Sequence, residues 1–209
     1  MVKGIKNIIF DLGGVLININ YKLTEQAFVQ AGIANFGQIY SQLKQTTLFD
    51  DFEKGTIEPT HFINALQAQS AAPISDAQII NAWNAMLLDF PLRRLQILQQ
   101  LRLHYNLFLL SNTNSIHEEA FNKILMQDHG IPSLGVFFDR VYLSHRLGLR
   151  KPMPQIFTKV LTDNGLQAHE TLFIDDSIQH IQGANTVGIQ TIHVAPGMSI
   201  EQDIFKPLR

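Results

Sequence analysis

The chain has 209 residues, 45% of them hydrophobic and 16% charged, with a formal net charge of −2. That length suits one or two domains of an ordinary globular protein, and no block of Lys and Arg offers a groove to nucleic acid. Cysteine is absent, which excludes disulfides, thiolate metal sites and cysteine nucleophiles.

Asn7-Ile8-Ile9-Phe10 is an apolar, β-branched and aromatic run that predicts a buried strand. Asp11 stands at its carboxyl end and Gly13-Gly14 follow in a turn. The aspartate also breaks the apolar run behind Lys3 and Lys6, so a signal peptide is not expected. No segment reaches the roughly 20 apolar residues of a membrane span, and a cytoplasmic location is the default.

From about residue 21 to 90 the pattern is helical. Thr24–Ala31 and Gln38–Gln45 carry helical spacing, and Thr60 is placed to cap a helix through Leu66. Ser75 with Gln78 forms a capping box, ahead of an apolar face of Ile79, Ile80, Trp83, Met86 and Leu87. The second half alternates. A helix from Pro91 with Leu92, Leu95, Leu98 and Leu101 precedes a strand at Asn106–Ser111; a helix to about Met126 precedes a strand at Arg140–Ser144. A helix from Pro154 stops at Asn164-Gly165, a strand follows at Thr171–Asp175, a helix runs to about Val187, and "QTIHV" is the last strand. Such alternation predicts an α/β fold with a doubly wound, Rossmann-like parallel sheet. The core domain is then 1–16 with 92–209, and 17–91 is an inserted all-helical cap.

Open α/β sheets bind ligands beyond the carboxyl ends of their strands. Those ends carry Asp11, Ser111-Asn112-Thr113 and Asp175-Asp176-Ser177, and Arg150-Lys151-Pro152 follows the strand at Arg140–Ser144. Taken singly, each has an ordinary use as a turn former, helix cap or surface charge. Taken together, several carboxylates at buried strand ends repel one another unless a cation lies among them. An all-oxygen set points to Mg²⁺, which uses one or two carboxylates and leaves positions for phosphate. A lysine and a hydroxyl at a helix N-terminus suit phosphate oxygens.

The order Asp11, Ser111, Lys151, Asp175-Asp176, with the stretches "FDLGGVL", "LLSNTNSIH", "LSHRLGLRKPMPQIF" and "FIDDSIQHIQGANTVGIQTI", resembles the haloacid dehalogenase (HAD) superfamily over nearly the whole chain. It looks like the helical-cap branch, and within it the bacterial phosphatases of α-glucose 1-phosphate and related sugar phosphates. The resemblance implies a Mg²⁺-dependent phosphatase of a small phosphorylated metabolite. Asp11 would be the nucleophile and would form an aspartyl phosphate. The metal would be held by Asp11, the Gly13 carbonyl and Asp176, with Asp175 as a second ligand or water-holder. Ser111, the Asn112 amide and Lys151 would bind the transferring phosphoryl group. No nucleic acid or membrane partner is implied, and a monomer or weak homodimer is expected.

Most phosphatases of the superfamily have Asp where this chain has Gly13. That acid protonates the leaving oxygen, and proton transfer of this kind typically contributes about 10²–10⁴-fold. Its loss matters least for anomeric, acyl or aryl phosphates, whose leaving oxygen is already stable. Gly14 reads as a residue free to take positive φ and turn the chain toward the cap. Where many relatives carry an acid four residues after Asp176 there is His180, read as an exposed helix residue. His117 and Asn114 are open to two readings, packing or a water-mediated replacement for the missing base. In the cap, "FDDFEKGTIEP" reads as a specificity loop with Lys54 the first residue to test, while Phe49, Phe52, Phe62 and Trp83 read as cap core. Two rivals stay open: a metal-free 2-haloacid dehalogenase, and a slow or non-catalytic binding protein.

Overall fold

The computed structural model describes residues 4–40 and 46–205. β1 (Asn7–Phe10) is followed by α1 (Tyr21–Gln30), α2 (Phe36–Ile39), α3 (Thr47–Glu53), α4 (Pro59–Gln67) and α5 (Asp76–Asn84). The chain then runs α6 (Leu92–Leu101), β2 (Asn106–Ser111), α7 (Ser115–His129), β3 (Arg140–Leu143) and α8 (Ser144–Leu147). It continues through α9 (Pro154–Asp163), β4 (Thr171–Asp175), α10 (Ile178–Asn185) and β5 (Gln190–His193).

Every strand pair is parallel, in the order β3-β2-β1-β4-β5. This is the doubly wound α/β sheet expected from the alternating pattern. Strand side chains alternate between faces, and the sheet's two faces bury two separate sets. Ile8, Phe10, Leu107, Leu109, Leu172 and Ile174 pack with Leu95, Leu98 and Phe121 on one side. Ile9, Phe108, Leu110 and Phe173 pack with Ile156, Phe157, Val160 and Ile181 on the other. The chain works outward from β1 to β3 and resumes at β4 on β1's other flank, so the sheet's switch point lies beside the end of β1. Register pairs Phe10 with both Leu109 and Ile174, and the next residue of β1's path is Asp11.

The helices of the first half bury a third apolar set of their own. Phe28, Phe36, Phe49, Phe52, Phe62, Leu66, Ile79 and Trp83 are all within it, and Ile116 of α7 joins them. The chain passes between the sheet and this layer on two antiparallel segments. Asn18 N–H donates to the Asp89 carbonyl, Leu88 N–H to Asn18, and Asn20 N–H to Met86, all at 2.9–3.0 Å. No helix among the described residues is long and apolar enough to cross a membrane.

Three local readings change. The helix assigned to a Thr60 cap begins two residues earlier, with Glu58 as cap and Pro59 in the first turn. Proline's fixed φ and missing N–H suit that position, so it outweighs the threonine. Much of the supposed specificity loop is helix α3, because Phe49 and Phe52 fall three apart and bury one face. The helix read at Gln38–Gln45 is short: α2 ends at Ile39, and 41–45 lie outside the described residues. The Ser75–Gln78 capping box is present with both of its hydrogen bonds.

Gly55, just after α3, has φ +67°, and a Cβ there would lie 2.1 Å from the backbone oxygen of His145 on α8. The helical layer and the sheet domain touch backbone to side-chain position at this point, and a methyl group has nowhere to go. Gly55→Ala is expected to destabilise the protein by about 2–3 kcal/mol, the sum of a strained left-handed backbone and a displaced contact. Chemical denaturation checks this, and an unchanged midpoint would refute the close approach.

Candidate active site

Lys151 is the centre of the site. Its side chain is 0% exposed, and the ammonium donates to Asp11 Oδ1 at 2.6 Å, Asp175 Oδ2 at 2.7 Å and the Leu110 carbonyl at 2.9 Å. All three donor positions of the ammonium are therefore used. Burial alone would depress its pKa, but the two carboxylates outweigh that and hold it above its ordinary value. The loop carrying it is fastened to the end of β2. The Asn112 side chain donates to the Lys151 carbonyl and accepts from the Lys151 N–H, both at 2.9 Å.

Asp175 has both oxygens engaged. Besides Lys151 it accepts from Ser177 N–H at 2.7 Å and faces His180 Nδ1 at 3.0 Å. Its burial would raise its pKa, yet Lys151 and His180 hold it down at about 2. Asp11 moves the other way. Burial is the largest influence and Asp175 adds to it, so the carboxyl lies above its ordinary range despite Lys151. Asp176, half-buried, lines the same cavity as Asp11.

Oxygens of Asp11, Asp175 and Asp176 all lie within 4.8 Å of one another. Three carboxylates gather here around one lysine ammonium. A divalent cation that prefers oxygen ligands fits that charge and that donor set. Gly14 makes room for the arrangement: its φ is +69°, and a Cβ would lie 2.6 Å from Asp176 Oδ2. Gly13 is not in the left-handed region, and a Cβ there would meet the Ile19 side chain at 2.6 Å. The backbone therefore accepts a side chain at 13, provided Ile19 moves.

Ser111, Asn112 and Thr113 border the cavity beside Asp11. Ser144 Oγ ties down this loop, accepting from Thr113 N–H and donating to the Thr113 carbonyl, both at 2.9 Å. Thr113 itself is 5% exposed, and nothing in its strand-end position in the sequence marks it for this role. The two histidines divide. His180 is not an exposed helix residue: its side chain is 17% exposed and bonded to Asp175, because residue 180 lies one turn into the helix after β4. His117 is in the cavity wall but committed to packing. Its Nε2 meets the Trp83 carbonyl at 3.0 Å, its Nδ1 meets the Asn114 amide at 3.2 Å, and its ring stacks on Trp83 at 4.6 Å. Burial lowers its pKa to about 4, so the ring is neutral and joins α7 to α5.

From the helical layer, Tyr21, Tyr40 and Glu53 line the cavity, and Arg150 reaches it from the sheet domain. Arg150 pairs with Asp50 at 2.7 Å and Glu53 at 2.9 Å. Lys54 is not in the cavity wall; it pairs with Asp50 one helical turn away. Which polar side chain of this stretch faces the cavity is set by helix phase. With helix phase imposed, Glu53 falls on the buried side with Phe49 and Phe52.

The chain belongs to the haloacid dehalogenase-like hydrolases, whose family model matches residues 5–188. It is 31% identical over 200 residues to the D-ribitol-5-phosphate phosphatase of Bacteroides thetaiotaomicron, covering 96% of this chain and 97% of that one. It is 29% identical over 203 residues to a glyceraldehyde 3-phosphate phosphatase of Pyrococcus abyssi, covering 90% and 80%. A HAD family enzyme of Bacteroides thetaiotaomicron, crystallised with magnesium and inorganic phosphate, superposes with a TM-score of 0.84 at 36% identity, covering 92% and 96%.

Asp175→Asn leaves the buried ammonium with Asp11 as its one charged partner and is expected to cost about 3 kcal/mol at neutral pH without metal. Because the folded carboxyl titrates at about 2 against 3.8 unfolded, its contribution is complete above pH 3.8 and disappears as pH falls through 2. The stability gap between wild type and variant in chelator should therefore close over that window. A gap that stays constant down to pH 2 would show that Asp175 is not held ionised by Lys151.

Proposed function

We propose that the protein is a Mg²⁺-dependent phosphatase of a small phosphorylated metabolite, acting through an aspartyl phosphate on Asp11. The observation that carries this reading is the Asp11–Lys151–Asp175 chain beside Asp176 at the sheet's switch point. The phosphatases among its relatives support it. The metal is held by Asp11, Asp176 and the Gly13 carbonyl; Asp175, with both oxygens already accepting, orients Lys151 or holds a water. Bound there, the cation supplies the positive charge that keeps Asp11 ionised and offsets the phosphoryl oxygens. The helical layer 17–91 is the cap, closing over the substrate and excluding water.

Asp11 attacks phosphorus in line, with its carboxylate oriented by Lys151 through Oδ1. Ser111 and the Asn112 backbone N–H donate to the transferring oxygens, and Lys151, whose protons are held by protein oxygens, contributes its positive charge. Water then attacks phosphorus, breaking the bond to the Asp11 oxygen, so that inorganic phosphate leaves and the Asp11 carboxylate is restored. A metal-free dehalogenase reading is disfavoured by the same three carboxylates, which without a cation would repel an anionic substrate. Asp11→Asn keeps the shape and loses the nucleophile. We expect turnover of an aryl phosphate to fall below detection in this variant, and wild-type activity to vanish with EDTA and return with Mg²⁺. Full activity in chelator, or chloride release from a 2-haloacid, would refute the reading.

Substrate class follows from Gly13. With no carboxylic acid there, the site favours a leaving oxygen that departs without a full proton, as in a sugar 1-phosphate. The relatives' names include primary esters such as ribitol 5-phosphate, so the two classes are the comparison to make. Wild-type kcat/KM should be higher for aryl and anomeric phosphates than for ribitol 5-phosphate, by up to about 10²-fold, the lower end of what an acid contributes. Equal values would overturn the preference for anomeric phosphate and show that the chain protonates the leaving oxygen in full from another residue.

A further inference from the structure

Two phenols, Tyr21 and Tyr40, stand in the cavity wall, and the chemistry above uses neither. Tyr21 opens α1, where the chain has just entered the helical layer, and it borders the cavity together with Asp11 and Asp176. We infer that the Tyr21 hydroxyl donates a hydrogen bond to the substrate oxygen that leaves phosphorus. This rests on the phosphatase reading and assigns a residue to the position that Gly13 vacates.

Geometry selects the side. In-line attack places the leaving oxygen opposite Asp11, and Asp11 projects from the sheet, so that oxygen faces the helical layer. Among the described residues, the other polar groups in reach of that side are committed. Arg150 is held by Asp50 and Glu53. Both ring nitrogens of His117 are occupied by Trp83 and Asn114, and His180 is turned to Asp175. Tyr40, the other phenol of the wall, is 8% exposed and its ring is packed among Phe36, Phe49 and Trp83. Tyr21 is also placed firmly. Asn20 caps its helix by accepting from Lys22 N–H, and Asn20 N–H bonds Met86. Thr24, one turn on, donates to the Trp83 carbonyl at 3.1 Å and accepts from Met86 N–H at 3.0 Å. A donor held this way needs no reorganisation when charge develops beside it.

The phenol acts without giving up its proton. Burial, the largest influence, pushes its pKa above the ordinary value, and a hydroxyl that keeps its proton serves as a donor. As an Asp11 oxygen bonds to phosphorus, the ester P–O bond breaks and its electron pair stays on the departing oxygen. That oxygen takes its proton from water, and Tyr21 stabilises the charge in between. Such help counts for a poor leaving group and hardly at all for a good one.

The test is Tyr21→Phe in the full-length, Mg²⁺-loaded enzyme, with kcat/KM measured for ribitol 5-phosphate and for 4-nitrophenyl phosphate. Removing one donor from a developing oxyanion should lower the alkyl value by about 10–100-fold and the aryl value by less than about 3-fold. The aryl rate is an internal control for folding and for the Asp11–Lys151 machinery. A variant that lowers both substrates by the same factor, or neither, would overturn the role of Tyr21 while leaving the phosphatase reading intact. A wild type inert toward both substrates would overturn that reading and the Tyr21 assignment with it.

Discussion

A lysine ammonium with no exposure to water governs the rest of this molecule. An unpaired cation cannot be buried at tolerable cost, so Lys151 requires carboxylates on either side and an oxygen behind. Parallel register supplies them: Asp11 beyond β1, Asp175 at the end of β4 and the Leu110 carbonyl near the end of β2. Three adjacent strands thus converge on one nitrogen. The constraint runs outward as well. Asn112 must grip the Lys151 backbone to present the side chain, and Ser144 must grip Thr113 to fix the loop in which Asn112 sits. The site is rigid because its central charge tolerates no alternative.

The same reasoning explains why one lysine affects two aspartates differently. Asp175 has Lys151, His180 and a backbone N–H, and its ionised form is over-satisfied. Asp11 has Lys151 and a like-charged neighbour, and burial dominates. A carboxylate left short of positive charge is a better place for a cation and a more reactive nucleophile than one fully solvated by donors. The asymmetry is built from the elements: Asp175 has the helix that begins at Ile178 immediately after it, whereas Asp11 is followed by two glycines and the passage to the helical layer.

Much of this was legible in the sequence. The alternating half announced itself through apolar runs of strand length separated by helical stripes, and the polar residues at the strand ends were visible as exceptions to those runs. The helical half was less legible at its boundaries. Its faces are set by tertiary packing, so Thr60 resembles a cap until Pro59 is considered, and the acidic stretch of α3 offers a loop reading beside the buried face that Phe49 and Phe52 mark. Helix phase decides which of that stretch's polar side chains reaches the cavity, and it places Glu53 there rather than Lys54. His180 is hidden from the sequence for a related reason. An isolated histidine on a helix after a strand has no signal of its own; its partner is Asp175, and only the turn between them shows that they face each other.

The two glycines of the opening motif separate a requirement from a choice. Gly14 is required: positive φ and the approach of Asp176 Oδ2 both forbid a side chain. Gly13 is not required by its backbone, since φ there is ordinary and the space a Cβ would need is taken by Ile19. Ile19 packs against both the sheet core and the helical core, so the methyl group that fills the place of an acid also seals the junction of the two layers. Restoring a carboxylate at 13 would expel that apolar contact from the seam and add a fourth negative charge beside three others. A neutral phenol entering from the opposite wall adds a donor without either penalty. The absence of the acid and the presence of Tyr21 are therefore two sides of one packing solution, in which the seam between layers stays dry and the polar group approaches from above.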